Sequence, residues 1–285
     1  MDAEPPQNAQ APAVPDPVQA AALGRLSLVA EDNSTNRKVI RHQLELLGLA
    51  SEQVASGQEA LDCWRADPGR YGLLLTDLHM PGLDGCALAA AIRREEPAGQ
   101  RLPIIASTAN VLGMDAARCR EVGMDACMSK PVALDALNDT LRHWLGRGKT
   151  GGGPAVIAPP PPPEDAAMPV PRGDAALHEF DGNALTRLVG PDEAFQQDLR
   201  QRYLDSLDQA LEDIQRAIAA EDWSAAGLVA HRLRTSTLAL GAVGLGRVFE
   251  AMEIAGREND AQALRRQAQW LVPAADTARS HLRRL

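Results

Sequence analysis

The chain has 285 residues, of which 45% are hydrophobic, and its formal net charge is -9. An ordinary domain has about 100 to 200 residues, so this length predicts about two domains. The negative charge argues against binding to nucleic acid or to an anionic membrane, because a phosphate backbone attracts clustered Lys and Arg. Neither a signal peptide nor a run of about 18 apolar residues is present, so we expect a cytoplasmic protein with protein partners and no membrane contact.

The cysteines predict no metal cluster and no disulfide framework. A zinc site needs closely spaced Cys or His pairs, and disulfide frameworks belong to short secreted chains. The chain has neither feature, so we expect reduced thiols. The four residues are Cys63, Cys86, Cys119 and Cys127.

Two segments of biased composition predict the domain boundaries. Residues 1–24 are rich in Ala, Pro and Gln, which bury too little apolar surface to offset the entropy of ordering, so we expect a disordered lead. Residues 147–173 contain a glycine triplet and five consecutive prolines, a composition typical of linkers. Such a linker has an r.m.s. span of about 25 to 30 Å when flexible, enough for the flanking domains to meet. The predicted domains are residues 25–146 and 174–285.

The first domain alternates between short apolar runs and helical patterns. The runs predict strands at residues 26–30, 72–76, 103–108 and 126–129, with a weaker strand at 50–55. The helical patterns lie at about residues 34–47, 57–66, 84–96, 111–122 and 132–145. Five strands separated by helices predict an α/β doubly wound, five-stranded parallel sheet.

The second domain has no strand-like alternation. Apolar residues spaced three and four apart predict stripes on two long helices, and two further helices are expected at about residues 222–240 and 243–257. A short helix at about residues 182–189 precedes them. We therefore predict an all-α antiparallel helical bundle. The stripes are Leu204, Leu207, Leu211, Ile214 and Ile218, then Leu264, Ala268, Leu271, Ala275, Ala278 and Leu282.

Chemically active side chains follow four of the predicted strands. Glu31 and Asp32 follow the first strand, and Asp77, Thr108 and Lys130 lie at the ends of three later ones. The carboxyl ends of parallel strands meet at one edge of the sheet, where such folds bind ligands. Three carboxylates, a hydroxyl and an ammonium at that edge predict a site for a divalent cation and a phosphoryl group.

Each of these residues has a simpler explanation when taken alone. A single acid at a strand end is usually a solvated surface group. Thr108 is also a candidate cap for the helix that follows it, and Asp84 is expected to be the N-cap of its own helix. The joint occurrence of the acids with Thr108 and Lys130 favours the phosphoryl site.

The first domain resembles the receiver domain of two-component response regulators, which has a flavodoxin-like fold. The resemblance covers about residues 25–146. The residues that carry it are Val29-Ala30-Glu31-Asp32-Asn33 through Asn36, Asp77-Leu78-His79-Met80-Pro81-Gly82-Leu83-Asp84-Gly85, Ala109 and Lys130-Pro131.

This resemblance implies a role for each site residue. Asp77 is implied as the phosphoryl acceptor, and Mg²⁺ is implied on Asp32, Asp77 and the backbone carbonyl of His79. Glu31 is implied to act through a metal-bound water. Lys130 and Thr108 are implied to contact the phosphoryl oxygens. Many receivers have an aromatic residue three positions before the lysine, where this chain has Cys127.

His231 stands out in the second domain, although a single exposed histidine is usually an ordinary surface residue. Its helix has an apolar face, and at about 100° per residue the imidazole points nearly opposite to that face. It is therefore not expected to be a core histidine. Arg234, one turn further on, is positioned to neutralise a phosphoryl group. The apolar face consists of Ala226, Ala230, Leu233, Thr237 and Leu240.

The second domain resembles the histidine phosphotransfer (HPt) domain over about residues 175–285. That motif has an exposed His, a basic residue at the third following position and a Gly at the fourth. The Gly position is occupied here by Thr235, whose side chain we expect to crowd an incoming receiver or to bond the imidazole. Leu228 and Leu238, if exposed, would form an apolar docking rim for a receiver.

Together the two resemblances predict a phosphorelay component. A sensor histidine kinase upstream would phosphorylate Asp77, and His231 would pass the phosphoryl group to a separate response regulator downstream. The order also resembles the carboxyl-terminal part of unorthodox hybrid sensor kinases of the virulence-sensor type. No kinase core is recognisable before residue 25, so kinase activity is expected only if the chain belongs to a longer membrane-bound hybrid kinase.

Two rival interpretations remain open on the residues alone. A phosphohydrolase of the haloacid dehalogenase kind also uses an Asp at a strand end. That family has a second Asp two residues later, where this chain has His79. A phosphorylation-independent adaptor is the other rival, since Thr235 and Cys127 depart from the family patterns.

Overall fold

The computed structural model describes residues 13–97, 99–108, 114–145 and 177–285, which form two compact units. The first unit contains a sheet with its helices, and the second contains five helices. The predicted linker at residues 147–173 and the first twelve residues of the predicted lead lie outside the described ranges. Within those ranges, no helix combines the length and apolarity needed to span a membrane.

The first unit is built on a five-stranded sheet with the order β2-β1-β3-β4-β5. β1 pairs in parallel with both β2 and β3, and β3 pairs in parallel with β4. β1, β3 and β4 are buried along their whole length because helices cover both faces of the sheet. The predicted α/β doubly wound sheet is thus confirmed. The strands are β1 Ser27–Ala30, β2 Ser51–Val54, β3 Leu73–Asp77, β4 Ile104–Thr108 and β5 Ala126–Ser129.

Side-chain caps fix the starts of the helices that follow the first three strands. Asn33 Oδ1 accepts from the backbone N–H groups of Thr35 and Asn36, and Ser56 caps the next helix through Glu59 N–H. Asp84 accepts from Ala87 N–H at 2.7 Å, so it is the predicted N-cap. The helices are α2 Ser34–Leu46, α3 Gly57–Ala66, α4 Gly85–Glu95, α5 Met114–Glu121 and α6 Leu134–Leu145.

One helix contradicts the predicted disordered lead. Residues Pro17–Ala22 form α1, although the lead was expected to extend to residue 24. Asp16 accepts a hydrogen bond from Val18 N–H, and Pro17 occupies the first turn, where its missing N–H costs nothing. Ala20 is completely buried in the core of the sheet unit. The local start signal and this burial outweigh the disorder-promoting composition.

The second unit confirms the predicted helical bundle. The three- and four-residue spacing along the two long helices places the residues of both predicted stripes in its core, with Ile218 and Ala268 at its margin. α9 and α10 approach most closely at Gly227 and Gly256, where neither residue has a side chain to separate the backbones. The helices are α7 Ala184–Val189, α8 Glu193–Ala219, α9 Trp223–Ala239, α10 Val243–Arg257 and α11 Ala261–Leu282.

The close approach of α9 and α10 predicts that Gly256→Ala destabilises the bundle. A Cβ at this position would lie 2.6 Å from Gly227 Cα and 2.7 Å from the Trp223 carbonyl oxygen, so the backbones must separate. We expect a loss of about 2 kcal/mol, as for other overpacked sites. Hydrogen exchange of α9 and α10 peptides measures this loss in the helical unit alone. Gly182→Ala, whose Cβ meets nothing within 4 Å, is the matched control and should leave exchange unchanged.

Candidate functional site

The register of three parallel strands brings the predicted acidic residues to one level. Ala30 pairs with Thr76, so Glu31 and Asp77 come next to each other at the carboxyl ends of β1 and β3. Asp77 pairs with Ser107, so Thr108 lies one residue further along β4. Asp77 thus stands in the middle of this edge, with Glu31 on one side and Thr108 on the other.

Glu31, Asp32 and Asp77 form a compact acidic cluster. One carboxylate oxygen from each residue lies within 4.8 Å of the other two. Glu31 is 1% exposed and Asp77 is 8% exposed, while Asp32 faces solvent. Mg²⁺ takes oxygen ligands at 2.0–2.1 Å in an octahedron, which puts opposite ligands about 4.2 Å apart. The chemistry of these oxygens fits a magnesium ion, and their spacing is close to the separation that such an ion requires.

Neighbouring polar groups hold Glu31 in place. Its Oε1 accepts from Asn36 Nδ2 at 3.1 Å and from the backbone N–H of Asn33 at 3.3 Å. Arg37 donates through Nη1 to the backbone carbonyls of Glu31 and Asp32, at 2.6 and 2.7 Å. These contacts fix the turn after β1 and place one positive charge beside three negative ones.

The loop after β3 is shaped around Asp77. The backbone N–H of His79 donates to Asp77 Oδ1 at 3.1 Å, so this loop folds back onto the carboxylate. Gly85, at the start of α4, lies against the Asp77 backbone, and a Cβ there would be 2.3 Å from the Asp77 carbonyl oxygen. The predicted role of the His79 carbonyl as a metal ligand remains a prediction.

Thr108 and Lys130 occupy the ends of the last two strands. Thr108 is the final residue of β4 and is completely buried, whereas Lys130 directly follows β5 and is partly exposed. The alternative role of Thr108 as a helix cap involves residues 109–113, which lie outside the described residues. The predicted contacts of Thr108 and Lys130 with a phosphoryl group remain predictions.

The second unit presents His231 at the boundary between α9 and solvent. Its side chain is 39% exposed, while Ala226, Ala230 and Thr237 on the opposite face are buried. The expectation that His231 is not a core residue agrees with this exposure. The imidazole also contacts α10, because its Nδ1 lies 3.1 Å from Glu253 Oε1.

Glu253 is a buried carboxylate surrounded by three cationic or protonatable groups. Oε1 contacts His231 and Arg257 Nη2, the latter at 2.5 Å, while Oε2 lies 3.3 Å from Arg234 Nε. Burial alone raises the pKa of Glu253. The hydrogen bond from His231 and the charges of Arg234 and Arg257 outweigh that effect and hold the pKa below its usual value. Glu253 is therefore an anion at neutral pH.

Two of the residues predicted around His231 have other contacts. The guanidinium of Arg234 also pairs with Glu250 at 3.1 Å, and its side chain is only 15% exposed. Leu228 is exposed, as the predicted docking rim requires. Leu238 is not: it is half-buried and packs against α10, where a Cβ on Gly246 would lie 2.4 Å from its Cδ2. Because Gly246 has no side chain, Leu238 has room to pack in the interface between α9 and α10.

Sequence reasoning missed Arg37 and Glu253. Arg37 lies near the start of α2, where the helix dipole disfavours a positive charge. Its presence there indicates that a partner for the guanidinium lies nearby. Glu253 stands on α10 between the buried residues Met252 and Ala255, on the side that packs against α9. A charged residue on such a face is uncommon without a partner. Neither pattern identifies which residue the partner is.

Comparisons with known proteins agree with this geometry. Residues 28–142 match the model of the response regulator receiver domain, and residues 198–283 match the model of the Hpt domain. The virulence sensor protein BvgS of Bordetella pertussis is 30% identical over 210 residues, which are 72% of this chain and 16% of BvgS. The sensor histidine kinase GacS of Pseudomonas protegens is 29% identical over 238 residues, 83% of this chain and 25% of GacS.

One solved structure is 36% identical to this chain in the matched region. It is the receiver domain of a Pseudomonas aeruginosa sensor histidine kinase, with magnesium in its active-site cleft. That match has a TM-score of 0.40 and covers 43% of this chain and 98% of the other. This chain spans a quarter or less of the length of BvgS and of GacS. Residues 28–142 belong to the response regulator receiver domain family and residues 198–283 to the Hpt domain family, so this chain contains a receiver domain followed by an Hpt domain, the two domain types of a two-component phosphorelay.

Proposed function

We propose that Asp77 accepts a phosphoryl group from a histidine of an upstream kinase and that His231 then relays it to a separate response regulator. The observation that carries this proposal is the cluster of Glu31, Asp32 and Asp77 at the carboxyl edge of the sheet. An Hpt domain follows it in the same chain. The kinase and the regulator are identified here only by class.

Asp77 is the best acceptor in the acidic cluster. Glu31 is almost completely buried and already accepts two hydrogen bonds, from Asn33 and Asn36. Asp32 is exposed and lies beyond the end of β1. Asp77 lies between β1 and β4, so groups from both neighbouring strands surround the phosphoryl group that it would carry.

The first transfer step needs the negative charge at this edge to be offset. A carboxylate oxygen of Asp77 attacks phosphorus, the P–N bond of the donor phosphohistidine breaks, and its electron pair returns to the donor imidazole. Glu31, Asp32 and Asp77 would hold a Mg²⁺ ion, which would offset the charge of the acids and of the phosphoryl oxygens. Lys130 adds a positive charge, and Thr108 donates a hydrogen bond to the transferred group.

The second step depends on the tautomer of His231. Glu253 accepts a hydrogen bond from Nδ1–H, so the lone pair of the neutral ring resides on Nε2. Nε2 attacks the phosphorus on Asp77, the acyl P–O bond breaks, and the aspartate carboxylate is restored. Glu253 thereby stabilises the positive charge that the imidazole gains during the transfer. A downstream receiver aspartate would reverse this chemistry.

Exchange of Asp77 for Asn should abolish phosphorylation of the whole chain. Small acyl phosphates such as acetyl phosphate donate to receiver aspartates, so wild-type protein should acquire a base-labile acyl phosphate at Asp77 and then an acid-labile phosphoramidate at His231. Mass spectrometry and radiolabel stability at acid and alkaline pH separate the two. Asp62→Asn, an exposed acid on α3, is the matched control and should label normally.

Two results of that experiment would count against the relay. Label at His231 of Asp77→Asn protein, from this chain alone, would show that the order of transfer is wrong. Label that stays on Asp77 and never reaches His231, even on a second copy of the chain, would favour the adaptor function.

Removal of a single acid should weaken magnesium binding. Asp32→Asn deletes one anionic oxygen from the cluster, so we expect the Mg²⁺ affinity to fall about tenfold, a loss of about 1.4 kcal/mol. Isothermal titration calorimetry with magnesium chloride measures this change without any phosphoryl donor. Asp62→Asn should bind like wild type, and equal affinity in all three proteins would place the cation elsewhere.

Loss of the charge on Glu253 should slow the second transfer step. Glu253→Gln keeps the size of the side chain but removes the anion that holds Nδ1–H, and we expect transfer from Asp77 to His231 to slow about tenfold, or about 1.4 kcal/mol. Quenched-flow labelling gives both rates, and phosphorylation of Asp77 should be unchanged. Glu250→Gln is the matched control, since Glu250 lies on α10 with Glu253 and also pairs with Arg234 of α9. An equal slowing by both variants would mean that Glu253 acts through bundle stability.

A further inference from the structure

Two thiols of the receiver domain lie in contact with each other. Cys119 Sγ and Cys127 Sγ are 3.8 Å apart. Cys119 is buried on α5, whereas Cys127 is partly exposed on β5. Phosphotransfer through Asp77 uses neither thiol, so their proximity calls for a separate explanation.

The turn between the two cysteines is held by strong contacts. The carboxylate of Asp125 is buried and accepts hydrogen bonds from Arg93 at 2.7 Å, Arg101 at 2.8 Å and the backbone N–H of Ile104 at 2.8 Å. The backbone N–H of Met124 donates to the Cys119 carbonyl at 2.9 Å. This network fixes the end of α5 against the start of β5, and with them the backbones that carry the two cysteines.

We propose that Cys119 and Cys127 are a redox-modified pair that forms an intramolecular disulfide when the protein meets hydrogen peroxide. A disulfide has an S–S distance of 2.03–2.05 Å, so the sulfurs must approach each other by about 1.8 Å. The link would join α5 covalently to β5, the strand that Lys130 directly follows.

The reaction proceeds in two balanced steps. The Cys127 sulfur, the more accessible of the two, attacks one peroxide oxygen; the O–O bond breaks, and the products are a sulfenic acid and water. The Cys119 sulfur then attacks the Cys127 sulfur, the S–S bond forms, and the S–O bond breaks as a second water leaves. Both thiol protons end in water, the two thiols are oxidised, and one peroxide is reduced.

Peptide mapping tests this link directly. Arg118 and Arg120 flank Cys119, so trypsin separates it from the peptide that contains Cys127. After brief peroxide treatment and alkylation of the remaining thiols, we expect the two peptides to be joined in most molecules, lighter by two hydrogens than their sum. Dithiothreitol should restore two alkylatable thiols.

Variants distinguish a specific pair from general oxidation. Cys119→Ser and Cys127→Ser should each abolish the link, and Cys63→Ser, the matched control, should keep it. The wild-type map does not depend on whether any variant folds. A link that includes Cys63 or Cys86, or sulfinic acid on Cys127 with Cys119 still alkylatable, would overturn the proposal. The link requires only the two sulfurs, so its absence would leave the proposed relay intact.

Discussion

The parallel register of β1, β3 and β4 is the constraint on which the receiver site depends. It places Glu31 beside Asp77 and puts Thr108 one residue further on, although these residues are far apart in the chain. Three carboxylate oxygens within 4.8 Å repel one another strongly in a partly buried setting. The strands, buried on both faces, hold the three acids together nonetheless, so the cluster is a candidate site for a cation, which would relieve the repulsion.

Asp77 and His231, the two candidate phosphoryl acceptors, have opposite electrostatic surroundings. Asp77 lies among other acidic side chains, so its proposed role as an acceptor requires added positive charge. His231 lies beside the buried carboxylate of Glu253, which orients the ring. The hydrogen bond from His231 and the charges of Arg234 and Arg257 keep Glu253 ionised, although burial alone would favour its neutral form. The α9 and α10 backbones approach closely enough for these contacts because Gly227 and Gly256 face each other.

Most of the fold was predictable because its signals are local. Strand bounds agreed to within one residue. β1, β3, β4 and β5 are short, mainly apolar runs that end at or just before a polar residue, whereas β2 is mostly polar and was the weaker prediction. The helix predicted at about residues 243–257 is observed at Val243–Arg257. The composition of residues 1–24 predicted disorder, but α1 forms because Asp16 caps its first turn and Ala20 is buried. Composition describes an average over a segment, whereas a cap and one buried contact act at single residues.

By itself the sequence determined which residues end the strands, which faces of the helices are apolar, and hence that Asp77 and His231 belong to two different kinds of domain. Only the tertiary structure decided their neighbours: Arg37 on the turn after β1, Glu253 beside His231, and the contact between Cys119 and Cys127. The physical reason is that periodicity gives the direction of a side chain relative to its own helix or strand. The group that meets it comes from another element, at a distance and angle that depend on how the whole unit packs.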